Sequence, residues 1–205
     1  MLTGSPSILT FSAVHHIYKA KRLDNNAISL QMKDVSSLKL GVRLDIPGHQ
    51  LIAHVVDTGT AHVVLWYDDL PAPLREELDA IGIDRIGKAV RFHDHFAPGG
   101  TNVNVIRAAG EGVISMRTYE RGVEEETLAC GTGAVASAIV AHALKNYPQA
   151  LDVITRSHER LSVSFKFGAG TYSSVILSGP ARVLFHGKVS LDDLHAARPA
   201  LNGKS

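Results

Sequence analysis

Cysteine is all but missing from this 205-residue chain. Cys130 is its single example, so no internal disulfide can form and the reducing cytoplasm is the expected compartment. An excess of either charge is missing too. Lys+Arg number 21 and Asp+Glu 20, for a formal net charge of +1. That balance removes the electrostatic case for a nucleic-acid or anionic-membrane partner and leaves a small molecule as the expected one. No apolar run reaches membrane-spanning length. The opening MLTGSPSILT has neither the charged nor the apolar region of a signal peptide, so no targeting signal is expected. Internal repeats and low-complexity linkers are lacking as well. What remains, 45% hydrophobic and 20% charged residues, is the composition of a soluble globular protein of one domain or slightly more.

Along the chain, short β-rich segments alternate with turn residues. Ser7–Leu23 (SILTFSAVHHIYKAKRL) reads as a strand pair or one long strand, DNN as a turn, and AISLQM as the returning strand. HQLIAHVVDTG and AHVVLWYDDL are Val- and Ile-rich runs broken at Thr58, Gly59 and Thr60. PAPLREELDAIGIDRIG has apolar positions at helical spacing, with Gly82 or Gly87 as its stop. VNVIRAAGEGVISMRTYERG is a hairpin turning at Gly110 and Gly112. AVASAIVAHALKN, a second helix from Gly133, is apolar or small on nearly every face, so a core must surround it. LDVITRS, RLSVSFKFG, TYSSVILSG and ARVLFHGKVSL supply four more candidate strands. Many strands and two helices, one of them without a polar face, predict an α+β fold: a mixed, mostly antiparallel sheet curled around a central buried helix.

Cys130 stands just before that helix. Unpaired amides and the dipole at a helix start stabilise anions, so they can lower a thiol pKa and can also hold a carboxylate. Equally, free cysteine is among the most buried and inert residue types, and Gly131-Thr132-Gly133 fits a plain helix entry capped by Thr132. Spacing alone leaves both open.

Two segments carry a more specific signal. TYERGVEEETLACGTGA (Thr118–Ala134) resembles the second active-site motif of the diaminopimelate epimerases, and PGGTNVNVI (Pro98–Ile106) resembles their asparagine-containing segment. The similarity runs from about SILTFSAVHHIYKA to GPARVLFHGKVSL, most of the chain. It implies a diaminopimelate-epimerase-like fold and cofactor-independent epimerisation of LL- to meso-diaminopimelate in lysine biosynthesis. In that chemistry two cysteines act as base and acid on opposite faces of the α-carbon. Carried over by residue, Cys130, Glu120 and His62 are the catalytic candidates, and Asn102, Arg121, Gly131, Thr132 and Thr60 the substrate-binding ones. No metal and no cofactor is implied. Where the family usually reads Gly-Asn-Pro-His, this chain has Gly59, Thr60, Ala61, His62.

These roles make chemical sense. An amino acid's α-hydrogen is a very weak acid, so carbanion charge must be met by cations and amide donors at the carboxylate. Inversion then needs a second proton carrier on the far face. Each candidate also has a plainer account: Glu120 with Arg121 as a surface ion pair worth under about 1 kcal/mol, His62 as a packed strand residue, Asn102 as a turn cap.

The family's first domain, with its own cysteine in a Cys-Gly-Asn-Gly turn, has no counterpart in this sequence. The resemblance therefore implies that residues 1–40 are strands completing that other domain. It implies a second domain over 41–178 with its central helix at about 133–146, a returning strand over 179–192 and a frayed tail over 193–205. Such a chain would be inactive alone and would need a homodimer partner or a complementing first domain. Two alternatives stand beside it: a non-catalytic binding module of the same fold, and a related amino-acid racemase or isomerase.

Overall fold

The computed structural model describes residues 8–13, 16–23, 27–183, 185–188 and 190. The DNN turn and the tail over 193–205 lie outside the described residues. Twelve strands belong to one sheet: β1 (Ile8–Ala13), β2 (His16–Arg22), β3 (Ala27–Gln31), β4 (Ser37–Ile46), β5 (His49–Asp57), β6 (Ala61–Trp66), β7 (Asn102–Gly110), β8 (Val113–Tyr119), β9 (Glu126–Thr127), β10 (Ala150–Ile154), β11 (Arg160–Gly168) and β12 (Thr171–Pro180). Their order is β1-β2-β3-β12-β11-β10-β8-β7-β6-β5-β4, with β9 paired to β8. Neighbours are antiparallel except β6/β7 and β8/β10, which are parallel. Among the described residues there are also three α-helices: α1 (Ala72–Ile81), α2 (Asp84–Arg91) and α3 (Gly131–Lys145).

Ser7–Leu23 contains the antiparallel pair β1/β2, not one long strand. The hairpin at Gly110 and Gly112 forms as expected, between β7 and β8. Helix α3 begins at Gly131, two residues before the expected start, because Cys130 itself is the N-cap. Gly133 to Ala141 are all buried, so no face of that stretch meets water. Strands β5 to β8 and β10 to β12 all contact it. Val135, Ile139 and Val140 are each 0% exposed, and burying side chains of this size contributes about 1.5–3 kcal/mol apiece. Asn146, left-handed at φ 54°, ends the helix.

Three expectations need correction. PAPLREELDAIGIDRIG is not one helix: Gly82, at φ 110°, stops α1, and α2 restarts at Asp84. Gly87 is no stop but lies inside α2, where a Cβ would sit 2.5 Å from the Cβ of Tyr119. Glycine is there to let Tyr119 approach the helix. Second, residues 181–183, 185–188 and 190 are in no strand, so the one expected over ARVLFHGKVSL is not formed among them. Third, β4 was not anticipated, and its internal bulge shows why. Register shifts between Lys39 and Val42, around Gly41 at φ 70°. Leu38 therefore packs with the α3 core, while Val42 and Leu44, of the same parity, pack with the α1/α2 core. His54 Nδ1 accepts from the Gly41 amide at 3.2 Å and holds the bulge.

Two cores result, one on each side of strands β5 to β8. In β6 the odd residues Val63 and Leu65 face α1/α2, while Val64 and Trp66 face α3. In β7, Val103 and Val105 face α1/α2 and Ile106 faces α3. The period of two dictates this alternation.

Gly87→Ala tests the close approach of α2 to the sheet. Alanine gains up to about 1 kcal/mol of helix propensity, but overpacking against Tyr119 costs about 1–3 kcal/mol. The expected outcome is a lower midpoint in urea denaturation; an unchanged or higher midpoint would show that the contact relaxes freely.

Candidate active site

The ends of β6, β7 and β8 meet the start of α3. β6 and β7 run parallel and both begin here, β8 ends here, and the chain leaving β8 turns through Glu120–Ala129 into the N-cap of α3. Strand parity puts His62, Asn102, Asn104 and Thr118 on the α3 side of the sheet. His62 is the cross-strand partner of Asn102, and Asn104 that of Thr118. All four are buried. Polar side chains thus replace, at this end, the Val64, Ile106 and Met116 that fill the same face deeper in.

Cys130 is 8% exposed. Its Sγ accepts from the Gly133 amide at 3.3 Å and lies 3.6 Å from Thr132 Oγ1. Cys130, not Thr132, caps the helix. Of the two effects left open by the sequence, burial is the larger: it pushes the thiol up, hydrogen bonds from Thr132 and Gly133 only partly offset this, and the Glu120 charge adds to the rise. Gly133 has a steric duty of its own. A Cβ there would lie 2.4 Å from Asn104 Oδ1 and 3.1 Å from Cys130 Sγ.

His62 is 0% exposed. Asn104 Nδ2 stands 3.1 Å from its Nδ1, while its Nε2 is buried with no partner. Burial first, and the Arg121 charge second, lower the imidazole pKa to about 4 against the opposing pull of Asp57. Asn102 does not cap a turn of its own: its Nδ2 donates to Ala61 O at 3.0 Å, and its Oδ1 accepts from the Arg121 amide at 2.9 Å. The exposed Arg121 guanidinium donates to Gly99 O, Gly100 O and Thr60 Oγ1 at 3.3, 3.5 and 3.1 Å. These acceptors are all neutral, so the cation is free to meet an anion and is not consumed in an ion pair with its neighbour Glu120. Thr60 is thereby tied to the arginine. Glu120, half-buried, anchors the turn: its amide donates to Glu125 O at 3.1 Å and its carbonyl accepts from Glu124 N at 2.8 Å. Gly131 sits against β12, where a Cβ would lie 2.9 Å from Leu177 Cδ2.

All eight residues singled out from sequence therefore lie around one end of the sheet. Asn104 and Thr118 were missed. The Asn-Val-Asn spacing was their available signal, since residues two apart in a strand share a face. Among the described residues, no group of three or more His, Cys, Asp and Glu stands together to hold a metal ion, and no helix is long and apolar enough to cross a membrane.

A family model described as diaminopimelate epimerase matches residues 54–174, more than half of the chain and every one of these positions. A diaminopimelate epimerase from Hydrogenobaculum sp. is 33% identical over 189 residues, 92% of this chain and 64% of that relative. One from Aquifex aeolicus is 39% identical over 150 residues, covering 72% and 49%. The chain thus spans about half to two thirds of the length of these relatives. Among solved structures, a probable proline racemase from Agrobacterium radiobacter superposes with a TM-score of 0.71 at 15% identity, over 94% of this chain and 63% of that one. A hydroxyproline epimerase from Agrobacterium vitis gives 0.63 at 14%, over 88% and 58%. These likenesses show the fold.

Two pH predictions follow from the site. A histidine depressed in the fold contributes stability above its unfolded pKa and loses it as pH falls toward the folded one. His62 should therefore cost about 3 kcal/mol of stability between pH 6.5 and about 4. Denaturation of His62→Gln alongside the parent should show a flatter slope in that window; parallel slopes would contradict the burial of a neutral imidazole. The Cys130 thiol, raised in the fold, should alkylate with iodoacetamide more slowly at neutral pH than a free thiol, with a rate midpoint above pH 9.0. A midpoint below that value would mean the helix start outweighs burial.

Proposed function

The chain belongs to the diaminopimelate epimerase family, and from that premise we propose that it carries one of two acid–base thiols, with the carboxylate-binding groups, of a cofactor-independent amino-acid epimerase acting on diaminopimelate. The observation that carries the reading is the convergence of the buried helix-capping thiol, the neutrally bonded Arg121 and the buried His62 on one sheet end.

In this reading Arg121 and the amides of Gly131 and Thr132 receive a substrate carboxylate, Asn102 fixes the Arg121 backbone, and carbanion charge developing at the α-carbon spreads onto that carboxylate. Cys130, holding its proton, serves as acid: it delivers a proton to one face of the α-carbon and becomes thiolate. A base on the opposite face takes the original hydrogen, so one proton enters and one leaves. In the reverse direction the roles exchange. With one cysteine among these 205 residues, the second thiol comes from residues outside them, on whichever polypeptide carries it. The domain division fits the same proposal. Strands β1 to β3 lie beyond β12 at one end of the sheet and expose Ile8, Leu9 and Ile17 at 59%, 53% and 66%, a surface suited to covering by the complementing half. Lysine biosynthesis and a soluble setting follow from the proposed reaction.

A second reading has an observation of its own. Burial raises Cys130, which suits a carboxylate-binding module that transfers no proton. Thr60 and Ala61 at the usual Asn-Pro positions bear on the choice of substrate, because the Thr60 hydroxyl is engaged by Arg121.

Exchange of the α-hydrogen of diaminopimelate in D2O decides among these. The 205-residue chain alone should give no exchange and no epimerisation. Addition of a polypeptide bearing the Cys-Gly-Asn-Gly half should restore both, and Cys130→Ala should abolish the rescue by about 10²–10⁴-fold, the scale of a positioned acid–base group. Full activity of this chain by itself would refute the need for a second thiol. Binding without exchange in the reconstituted pair would favour the binding module.

A further inference from the structure

The buried amide of Asn104 is in neither the thiol nor the carboxylate machinery, yet each of its polar atoms has a defined partner. Nδ2 lies 3.1 Å from His62 Nδ1 and 3.2 Å from Val63 O. Oδ1 accepts from Thr118 Oγ1 at 2.9 Å. Val63 O can only accept, so the atom facing it is the amide nitrogen; flipping the amide would set two acceptors against each other. With its –NH2 turned this way, Asn104 can only donate to the imidazole, and Nδ1 must be the ring's lone-pair nitrogen. In a neutral imidazole the proton then resides on Nε2. That nitrogen is buried and has no hydrogen-bond partner.

We propose that Asn104 is a positioning residue that locks His62 in the tautomer protonated on Nε2, so that the ring presents a hydrogen-bond donor to an anionic group entering the site. A buried donor without an acceptor is disfavoured, and an arriving carboxylate or thiolate supplies what it lacks. Thr118 holds the amide from one strand and Val63 from another. The absence of a side chain at Gly133 leaves the space that Asn104 Oδ1 occupies, 2.4 Å from where a Cβ would be. The lock therefore ties the histidine to the same helix turn that carries Cys130. Charged groups acting on the ring are Arg121 and Asp57, and neither replaces the contact to Nδ1. The identity of the anion rests on the function proposed above; the tautomer does not.

Nitrogen-15 NMR of the full chain labelled in histidine tests this directly, with the His62→Gln spectrum identifying the His62 signals. Expected near neutral pH are an unprotonated Nδ1 and a protonated Nε2. Asn104→Asp, nearly isosteric, replaces the donor by an acceptor and should move the proton to Nδ1 or protonate both nitrogens. A wild-type spectrum with the proton on Nδ1 would overturn the proposal, as would an unchanged pattern in Asn104→Asp. If that variant does not fold, the wild-type pattern alone decides. Loss of epimerase activity in the reconstituted pair with the Nε2–H pattern intact would count against the proposed reaction and leave the lock standing.

Discussion

A helix without a polar face must be enclosed, and that requirement shapes the whole molecule. Gly133 to Ala141 are buried in sequence, which no single packed layer achieves. The sheet has to lie against α3 on several sides, and strands β5 to β8 and β10 to β12 do so. An antiparallel meander would be the simplest wrapping. It is interrupted where the chain must pass a helix before pairing again, α1 and α2 between β6 and β7, and α3 between β8 and β10. Those crossovers produce the two parallel pairings. Parallel β6 and β7 start at the same end, antiparallel β8 finishes there, and the chain then has nowhere to go but into α3. The site is assembled by this topology before any side chain is considered.

Enclosure also sets the chemistry. The face that packs on α3 is apolar through Val64, Trp66, Ile106 and Met116, and becomes polar only in its last residues, His62, Asn102, Asn104 and Thr118. Buried polar groups persist where they bond to one another. Here Thr118, Asn104 and His62 form a chain, and Asn102 links the Arg121 backbone to the Ala61 carbonyl. His62 Nε2 is the break in the pattern.

Much of this was legible in sequence because period-two and all-apolar patterns report burial directly: β5 to β8, β10 to β12 and the enclosed nature of α3 could be read from them. Six of the eight candidate site residues were singled out through two motifs, and Thr60 and His62 through the Gly59–His62 segment. What escaped was geometry that pattern does not encode. Gly41 sits at a bulge that turns β4 over and keeps both faces filled. Gly87 reads as a helix stop, but it is a clearance for Tyr119. Asn104 was hidden behind Asn102, since only the fold shows that the second asparagine, not the first, meets the histidine. At the thiol the sequence left two effects in balance. A helix start argues for a lowered pKa, but desolvation depends on how deep the cap sits, and Cys130 is 8% exposed.

That depth bears on how the proposed reaction would be partitioned. A thiol pushed up and an imidazole lowered to about 4 are both uncharged near neutrality, so of these three groups only Arg121 meets an incoming substrate with charge. A protonated thiol cannot abstract an α-hydrogen, but it is the form that can return one. If Cys130 acts first as acid, the thiolate that starts the reaction has to lie on the other face of the substrate. In the proposed reaction a carboxylate held at the helix start and Arg121 would add negative charge beside Cys130 and favour the proton staying where it is until a carbanion claims it. In the proposed enzyme, burial of one thiol and ionisation of the other are then two sides of the same asymmetry, and the direction of epimerisation is set by which thiol carries the proton when substrate arrives.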